Sequence, residues 1–409
     1  MSFGTNTAKN IVPATLHTKG NCRVCGHKLF DKPLMKLENM PAAAQFLPDS
    51  TSLEHDRGTN LEIWQCSACG LVQLNIEPVP YYKKVIRAVA FSDEMKEFRI
   101  KQFKRFVREH SLKGKKVLEI GCGCGEYIDI MVQSGMDTYG IEYSEDAVKE
   151  CIKKGLNVFQ GFIEDSNNIL PHAPFDMFFM LNFLEHLPNP NLVLKGIYNN
   201  LTNNAAGVIE VPNFDMILRN RLFAEFIPDH LCYFTRETLI STLNINGFEV
   251  VECNAIWHDY ILSAVVKKAP KTGAKKMADI KTIKMLDLSH FEKSRNELKH
   301  NIDRYINRFQ SKKVAIWGAG HQALAIISLM NLSKKIRYVI DSAPFKQGKY
   351  TPATHIPIMS PDTLRTDKVE AIIVMAASYS DEVAQIIRQE FDKDISVSIL
   401  RDLELEEVP

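Results

Sequence analysis

The sequence lacks an excess of charge of either sign. Its 409 residues carry 50 Lys and Arg against 49 Asp and Glu, which leaves a formal net charge of +1. A chain that neutralises a phosphate backbone or an anionic membrane through its composition needs a surplus of cations. Composition therefore gives no support to a nucleic-acid partner or a membrane partner, and we expect neither.

Long apolar segments are also missing. No run of about 18 apolar residues occurs, and the first residues, MSFGTNTAKNIVPATLH, lack the apolar centre flanked by basic residues of a secretory leader. We therefore expect a cytoplasmic protein. A composition of 45% apolar and 24% charged residues is typical of a soluble globular protein, and the length favours two or three domains.

The chain divides into four stretches that differ in their sequence pattern. Residues 1–84 contain few periodic segments, and residues 85–267 alternate strand-like runs with helical patterns. Residues 268–310 begin with a basic segment and continue as a polar amphipathic helix, which predicts a linker and a connecting helix. Residues 311–409 resume the alternation of strands and helices. Both alternating stretches predict α/β units with parallel sheets flanked by helices.

Nine cysteines are present, and four of them form two CxxC pairs, Cys22 with Cys25 and Cys66 with Cys69. Glycine follows each pair, which allows the tight turn that directs both thiolates inward. Two such turns supply the four soft ligands of a structural Zn²⁺ ion. About 40 residues separate the pairs, so a small domain fills the gap. Four free thiols in a core and a redox CxxC are the alternatives.

A glycine-rich turn, KVLEIGCGCGEY at residues 116–127, follows a strand-like run. Gly121 and Gly123 allow the backbone to turn and to approach a ligand before the next helix. About 20 residues later Glu142 ends a second strand, where a carboxylate accepts hydrogen bonds from ribose hydroxyls. The alternative is a tight turn that binds nothing.

The surroundings of this turn favour a particular cofactor. Glu119 precedes the glycines and would repel a pyrophosphate, whereas it can face an amine-bearing ligand. Cys122 and Cys124 lack metal-ligand spacing and are interpreted as small filling residues. The segment resembles the class I S-adenosylmethionine-dependent methyltransferases. That resemblance implies that Glu119, Gly121 and Gly123 hold the methionine part of the cofactor and that Glu142 holds the ribose.

The resemblance extends over almost the whole chain when the ends are included. The two CxxC pairs with NMPAAAQFL between them, the E-x-G-x-G turn, PDHLCYF and VIDSAPFKQGKYTPATHIPIMSP together resemble the zinc-containing sugar C-methyltransferases. The resemblance implies an N-terminal four-cysteine zinc module, a class I (Rossmann-like) methyltransferase core and a C-terminal Rossmann-like domain that covers the substrate. The implied substrate is a nucleotide-linked 4-keto-deoxysugar.

Carbon methylation beside a ketone needs a base that removes a weakly acidic C–H proton, after which the enolate attacks the sulfonium methyl group. In the family a histidine preceded by an acidic residue supplies the base, and Asp229-His230 match that pair. A histidine beside a carboxylate is suited to be neutral at pH 7 and then to hold a proton. The alternative is a structural histidine in a loop.

The chain also departs from the family pattern. Ile227 stands where the family commonly has a tyrosine, and the acid is aspartate where glutamate is usual. A second tyrosine of the family's sugar site falls near Tyr81 and Tyr82, but the match is too weak to choose between them. His186 and Tyr233 are further polar candidates, and His186 has a supporting or core role as its alternative.

The C-terminal stretch VAIWGAGHQA, followed about 20 residues later by Asp341, on its own predicts a dinucleotide site. The resemblance implies instead a domain without NAD, in which Gly318 and Gly320 serve close packing or a substrate phosphate. A loop able to meet the nucleotide or the sugar contains Lys346, Lys349, Tyr350 and His355.

Three functions follow from these patterns. The first is C-methylation of a nucleotide-linked keto-sugar by S-adenosylmethionine, with zinc in a structural role. The second is O- or N-methylation of another small polar metabolite on the same scaffold, with His230 deprotonating a hydroxyl or binding the substrate. The third is a non-catalytic scaffold that binds S-adenosylmethionine, which the intact set of Glu119, Gly121, Gly123 and Glu142 disfavours.

Overall fold

The structure, a computed structural model, describes residues 20–84, 93–270 and 283–408. Three stretches discussed above lie partly or wholly outside the described residues. They are the N-terminal stretch in which no leader is expected, the segment after Tyr82 and most of the predicted linker. The described residues form three sheets, of four, seven and six strands.

The N-terminal sheet is antiparallel, with strand order β1-β2-β3-β9. Its strands are β1 (Met35–Met40), β2 (Thr59–Gln65), β3 (Val72–Leu74) and β9 (Cys232–Tyr233). Strand β9 comes from a distant part of the chain, and Leu74 also donates a backbone hydrogen bond of 3.0 Å to the carbonyl oxygen of Leu231. The sheet therefore fixes the segment that contains Asp229 and His230.

The middle sheet has the order β10-β11-β8-β7-β4-β5-β6, in which β8, β7, β4, β5 and β6 pair in parallel and β11 pairs antiparallel with both β8 and β10. The strands are β4 (Lys116–Ile120), β5 (Asp137–Glu142), β6 (Asn157–Gln160), β7 (Phe175–Leu181), β8 (Leu201–Pro212), β10 (Phe248–Ile256) and β11 (Ile261–Lys268). The helices are α1 (Asp93–Glu109), α2 (Glu126–Gln133), α3 (Glu145–Lys153), α4 (Pro190–Asn199), α5 (Phe214–Asn220) and α6 (Arg236–Ile245). The predicted parallel strands are confirmed.

The C-terminal sheet has the order β14-β13-β12-β15-β16-β17, in which only β17 is antiparallel to its neighbour. The strands are β12 (Val314–Trp317), β13 (Ile336–Ile340), β14 (Ile358–Met359), β15 (Ala371–Val374), β16 (Ser396–Arg401) and β17 (Glu404–Val408). The helices are α8 (His321–Leu329), α9 (Thr363–Thr366) and α10 (Ser380–Glu390). The amphipathic pattern that predicted the connecting helix corresponds to α7 (Ser289–Ile306).

One apolar cluster joins the three parts of the chain. Leu37 and Ile63 of the N-terminal sheet, Phe226, Phe291 of α7 and Leu324 of α8 are all buried in it. Burial of large apolar side chains is the main favourable term in folding, so the parts stabilise one another. No helix among the described residues is long and apolar enough to cross a membrane.

Candidate active site

The four cysteines of the CxxC pairs converge. Their Sγ atoms all lie within 4.8 Å of one another, with 3.6 Å between Cys22 and Cys69 and 3.4 Å between Cys25 and Cys66. Four sulfurs at ~2.3 Å from a tetrahedral zinc ion are roughly 3.8 Å apart, so the donor set fits Zn²⁺ closely. The zinc prediction is confirmed in its geometry.

Backbone amides support these thiolates. Val24 and Cys25 direct their N–H groups at the sulfur of Cys22, at 3.4 and 3.5 Å, and Ala68 and Cys69 do the same at Cys66, both at 3.4 Å. Such donors stabilise the thiolate form that a metal needs.

Arg23, inside the first CxxC pair, links the zinc module to the methyltransferase core. Its guanidinium donates to the carbonyl oxygens of Leu74 and Ile76 within the module, and to that of Pro188 in the core at 3.2 Å. Loss of the metal would therefore disturb the core loop after β7 as well as the module.

The glycine turn has the conformation that its sequence predicts. Gly121 and Gly123 have φ values of 69° and 55°, in the left-handed region that favours glycine. Glu142 is buried, and its carboxylate accepts hydrogen bonds from the backbone N–H of Gly123 at 2.9 Å and of Ser144 at 2.7 Å. The acid at the end of β5 is thereby fixed against the turn at the end of β4.

A pocket lies against this turn. Gly121 lines it, with the aromatic side chains of Tyr143, Phe162 and Phe183, and Lys83 reaches it from the segment after the zinc module. Aromatic and apolar walls with a few polar groups are typical of a cofactor site at the carboxyl ends of parallel strands. S-adenosylmethionine fits this combination of a glycine cradle, an acid beside it and an aromatic wall.

Glu119 lies near the end of β4 and is 1% exposed. Cys122 is also buried, and its sulfur would come within 2.6 Å of a Cβ atom placed on Gly140. Cys122 therefore fills space between two strands, as its interpretation as a small filling residue implied. Cys124 is half-buried, and its carbonyl oxygen accepts a hydrogen bond of 2.9 Å from Lys154.

Asp229 is buried between the zinc module and the core. One carboxylate oxygen accepts a hydrogen bond of 2.6 Å from the Tyr81 hydroxyl, and the other accepts one of 2.7 Å from the backbone N–H of Ala44. Gln45 donates its backbone N–H to the Tyr81 hydroxyl at 3.1 Å. No hydrogen bond among the described residues joins this carboxylate to the ring of His230. The acid therefore holds the loop in place and does not orient the histidine directly.

His230 lies beside a second histidine. Its ring centroid is 4.7 Å from that of His186, with the rings edge to face. Burial lowers the pKa of His230 well below its usual value, and the neighbouring His186 and His321 lower it further. His230 is therefore neutral at pH 7, which a general base requires.

His186 belongs to a 3₁₀ turn, Leu184–His186, which follows β7. Its Nδ1 atom lies 2.7 Å from the carbonyl oxygen of Asp229. Because a carbonyl oxygen only accepts, Nδ1 carries the proton and Nε2 keeps a lone pair. Glu185 is 1% exposed, and burial raises its pKa to about 8.

A further polar group joins this centre to the C-terminal domain. Glu225, 3% exposed, accepts hydrogen bonds from Tyr260 at 2.8 Å, from His321 at 3.5 Å and from Gln322. These hydrogen bonds lower the pKa of Glu225, although its burial acts in the opposite direction, and Glu225 raises the pKa of His321. A second pocket is lined by Ala44, Ile227 and His321 among others.

The C-terminal glycine turn contacts residues of its own domain. Asp341 accepts a hydrogen bond from the backbone N–H of Ala319 at 2.9 Å and forms a 3.0 Å ion pair with Lys346. Gly318 has a φ value of 126°, and a Cβ atom there would lie 2.3 Å from the carbonyl oxygen of Met375. Close packing is therefore the reason for Gly318.

Tyr350 and His355 of the C-terminal loop contact the zinc module, whereas the backbone of Lys349 bonds to Lys346 and Ile358 of its own domain. Tyr350 donates its backbone N–H to the carbonyl oxygen of Pro48 at 2.8 Å, and His355 lies 2.8 Å from a carboxylate oxygen of Asp56. These contacts hold the C-terminal domain against the N-terminal module.

The sequence alone does not decide between Tyr81 and Tyr82 as the tyrosine near the sugar site, and the structure gives them different contacts. Tyr81 bonds to Asp229, whereas Tyr82 packs edge to face on Phe162 at 6.0 Å, beside the cofactor cavity. The hydroxyl of Tyr233 accepts a hydrogen bond from the backbone N–H of Ile227 and donates one to the carbonyl oxygen of the same residue. Glu225, Tyr260 and His321 were not found by sequence reasoning. Only the position of His321, directly after the C-terminal glycine turn, could have indicated one of them.

Comparison with known proteins gives three family matches in chain order. A zinc binding domain family matches residues 22–80, a methyltransferase domain family matches residues 94–253, and a C-methyltransferase C-terminal domain family matches residues 266–397.

The individual relatives cover different shares of this chain. C-methyltransferase NovU of Streptomyces niveus is 22% identical over 88% of this chain and 90% of its own length. A ubiquinone biosynthesis O-methyltransferase of Methylococcus capsulatus is 31% identical over 22% of this chain and 40% of its own length. A magnesium protoporphyrin IX methyltransferase structure from Synechocystis, with 14% identity and a TM-score of 0.36, covers 42% of this chain and 83% of that one.

The methyltransferase match and the cofactor cradle define an S-adenosylmethionine-dependent methyltransferase with a class I fold, acting on a small-molecule substrate. The flanking matches identify it further. The chain carries a zinc binding domain before the methyltransferase core and a C-methyltransferase C-terminal domain after it, and over most of its length it is similar to C-methyltransferase NovU.

Proposed function

We propose that the protein methylates a carbon atom next to the ketone of a nucleotide-linked 4-keto-deoxysugar, with His230 as the base. The observation that carries this proposal is the environment of His230. Burial and two neighbouring histidines keep its imidazole neutral, and its ring makes no hydrogen bond to another described residue. A neutral imidazole with an available lone pair is suited to remove a proton.

The proposal also assigns the residues that would bind the cofactor. Gly121 and Gly123 would hold the methionine part with Glu119, and Glu142 would hold the ribose. When bound, S-adenosylmethionine supplies an electrophilic methyl group. Phe183 lines the cofactor cavity and lies two residues before Glu185, whose side chain clusters with His186 and His230. The base and the cofactor cavity are therefore neighbours, and removal of the proton leaves a carbon nucleophile beside that cavity.

The charged groups near His230 affect how well its imidazole can hold the proton that it removes. Protonated His230 would lie close to the buried carboxyl of Glu185, in a low-dielectric environment where electrostatic effects are strong. Asp229 acts as a positioning residue, because its carboxylate bonds to Tyr81 and Ala44. Its backbone carbonyl oxygen also fixes the tautomer of His186.

The methyl acceptor would bind where the zinc module, the loop containing His230 and helix α8 meet. The second pocket, at this junction, is lined by residues from all three. Ile227 lines it with an apolar surface where the resembled family commonly has a tyrosine hydroxyl. We infer that the sugar ring contacts this wall through a deoxygenated carbon, for which an apolar neighbour is favourable.

An O- or N-methyltransferase of another small polar metabolite is the second candidate. The match of the core to an O-methyltransferase supports it, since the core alone does not select the acceptor atom. A non-catalytic scaffold that binds S-adenosylmethionine is the third, and the neutral, half-buried His230 disfavours it.

The test is transfer of a labelled methyl group from S-adenosylmethionine to a panel of nucleotide 4-keto-deoxysugars, with the product analysed by NMR. The proposal expects a new carbon–carbon bond at the position next to the ketone. Label on oxygen or nitrogen would support the second candidate. Binding of S-adenosylhomocysteine without transfer to any acceptor of the panel would support the scaffold.

A further inference from the structure

A second cluster of metal-ligating side chains lies outside the four cysteines. Glu185, His186 and His230 each place one ligand atom within 4.8 Å of the other two. The Nε2 atom of His186 is 3.8 Å from Oε1 of Glu185, too far for a hydrogen bond. The three groups thus surround a small space.

The protonation states of this cluster suit a cation. His186 donates its Nδ1 proton to the carbonyl oxygen of Asp229 at 2.7 Å, and metal-ligating histidines almost always donate their second ring nitrogen in this way. The lone pair on Nε2 is therefore directed away from Asp229. Burial favours the neutral form of both histidines, as the lowered pKa values of His186 and His230 indicate.

Glu185 supplies an independent observation. Its side chain is 2% exposed, and its Oε2 atom has no hydrogen-bond partner in the part of the chain that the structure describes. An unsatisfied buried carboxyl group is costly, and a bound cation would compensate it.

We propose that Glu185, His186 and His230 form a second metal site, which takes a divalent first-row transition ion such as Zn²⁺ or Co²⁺ and thereby inhibits the enzyme. Two imidazoles and one carboxylate are a common ligand set for such ions. Ligand atoms around an ion at ~2.1 Å are roughly 3 to 3.5 Å apart, so small side-chain rotations close the present spacing. The bound ion occupies the lone pair of His230. The inhibitory consequence rests on the proposed role of His230 as the base, whereas binding does not.

The test uses the full-length protein with one zinc equivalent per chain in the four-cysteine site, confirmed by mass spectrometry. Calorimetric titration with Zn²⁺ should reveal a second equivalent. Glu185→Gln and His186→Gln should each weaken this binding at least tenfold and keep the first zinc. His258→Gln is the matched control, because His258 pairs with Glu94 at 3.3 Å on the exposed surface, and it should bind the second ion like the native protein.

Two results would overturn the proposal: native protein that takes no second equivalent, or Glu185→Gln and His186→Gln variants that bind it with native affinity. If neither variant folds, cobalt absorption of the native protein decides. Ligand-field bands without thiolate-to-cobalt charge transfer are expected, and a thiolate band would contradict the site. Binding without base activity of His230 would refute the proposed function alone, and base activity without binding would refute this inference alone.

Discussion

The hydroxyl of Tyr81 donates a hydrogen bond of 2.6 Å to the carboxylate of Asp229, 148 positions further along the chain. This bond connects the segment after the zinc module to the loop that carries the proposed base. Charged acceptors make stronger hydrogen bonds than neutral ones, so we regard this pair as the principal side-chain link between module and base.

Replacing Tyr81 with Phe should therefore lower both stability and turnover. We expect a loss of about 1–3 kcal/mol in the free energy of unfolding, because a buried carboxylate oxygen loses its donor. Urea unfolding measures it. Asp229→Asn should have a similar effect, and the double variant should lose less than the sum of the two. Tyr82→Phe is the control, since Tyr82 does not contact Asp229. Strict additivity in the double variant would show that the two residues act independently.

Loss of zinc should affect the methyltransferase loop as well as the module. We expect Cys66→Ser to lose the metal and several kcal/mol of stability, because zinc binding and folding are coupled. Strand β9 pairs with β3, so the variant should also lose methyl transfer. Zinc content and circular dichroism measure the effect. Cys253→Ser removes a buried thiol outside the cluster and should keep its zinc. A Cys66→Ser protein with one bound zinc and native activity would contradict this expectation.

The pH dependence of proton removal follows from the lowered pKa of His230. A base whose pKa is below the usual 6.5 stays neutral at pH 6.5 and loses activity only at more acidic pH. The acid limb of the rate profile should therefore have its midpoint below pH 6.5. His186→Asn removes one of the groups that lower this pKa, so the midpoint should shift towards 6.5. An unchanged midpoint in His186→Asn, with His258→Asn as control, would show that His186 does not influence the base.

Two glycines of the C-terminal turn should respond differently to alanine. Gly318→Ala combines a φ of 126° with a Cβ atom 2.3 Å from a backbone carbonyl oxygen, so we expect a loss of at least about 1–3 kcal/mol. Gly320 has a φ of −81° and open space within 4 Å, and Gly320→Ala should cost less than about 1 kcal/mol. Urea unfolding of both variants compares them. Equal losses would show that packing against Met375 does not explain Gly318.

Much of the fold could be predicted because its signals are local. The strand and helix patterns of both α/β units, the glycine turn with Glu142 and the two CxxC turns all occur within short windows, and each has a direct physical cause. The convergence of the four cysteines followed from ligand chemistry, since two matched CxxC turns supply the four soft ligands of a structural zinc ion.

The rest could not be predicted because it depends on contacts between distant segments. Strand β9 has two residues, too few for any periodicity, and it joins a sheet whose other strands end at residue 74. Glu225 and His321 are 96 positions apart, and neither has a local motif. The expectation that the Asp229 carboxylate helps its neighbour His230 to hold a proton came from adjacency in sequence, whereas the carboxylate bonds to Tyr81 and Ala44.

The central claim is that His230 removes a proton from carbon. The direct measurement is deuterium uptake from D₂O at the carbon next to the ketone of a nucleotide 4-keto-deoxysugar, followed by NMR without methyl donor. We expect native protein to catalyse this exchange, and His230→Asn to lose at least a hundredfold in rate while S-adenosylhomocysteine binds with native affinity. Exchange at the native rate in His230→Asn would contradict the account.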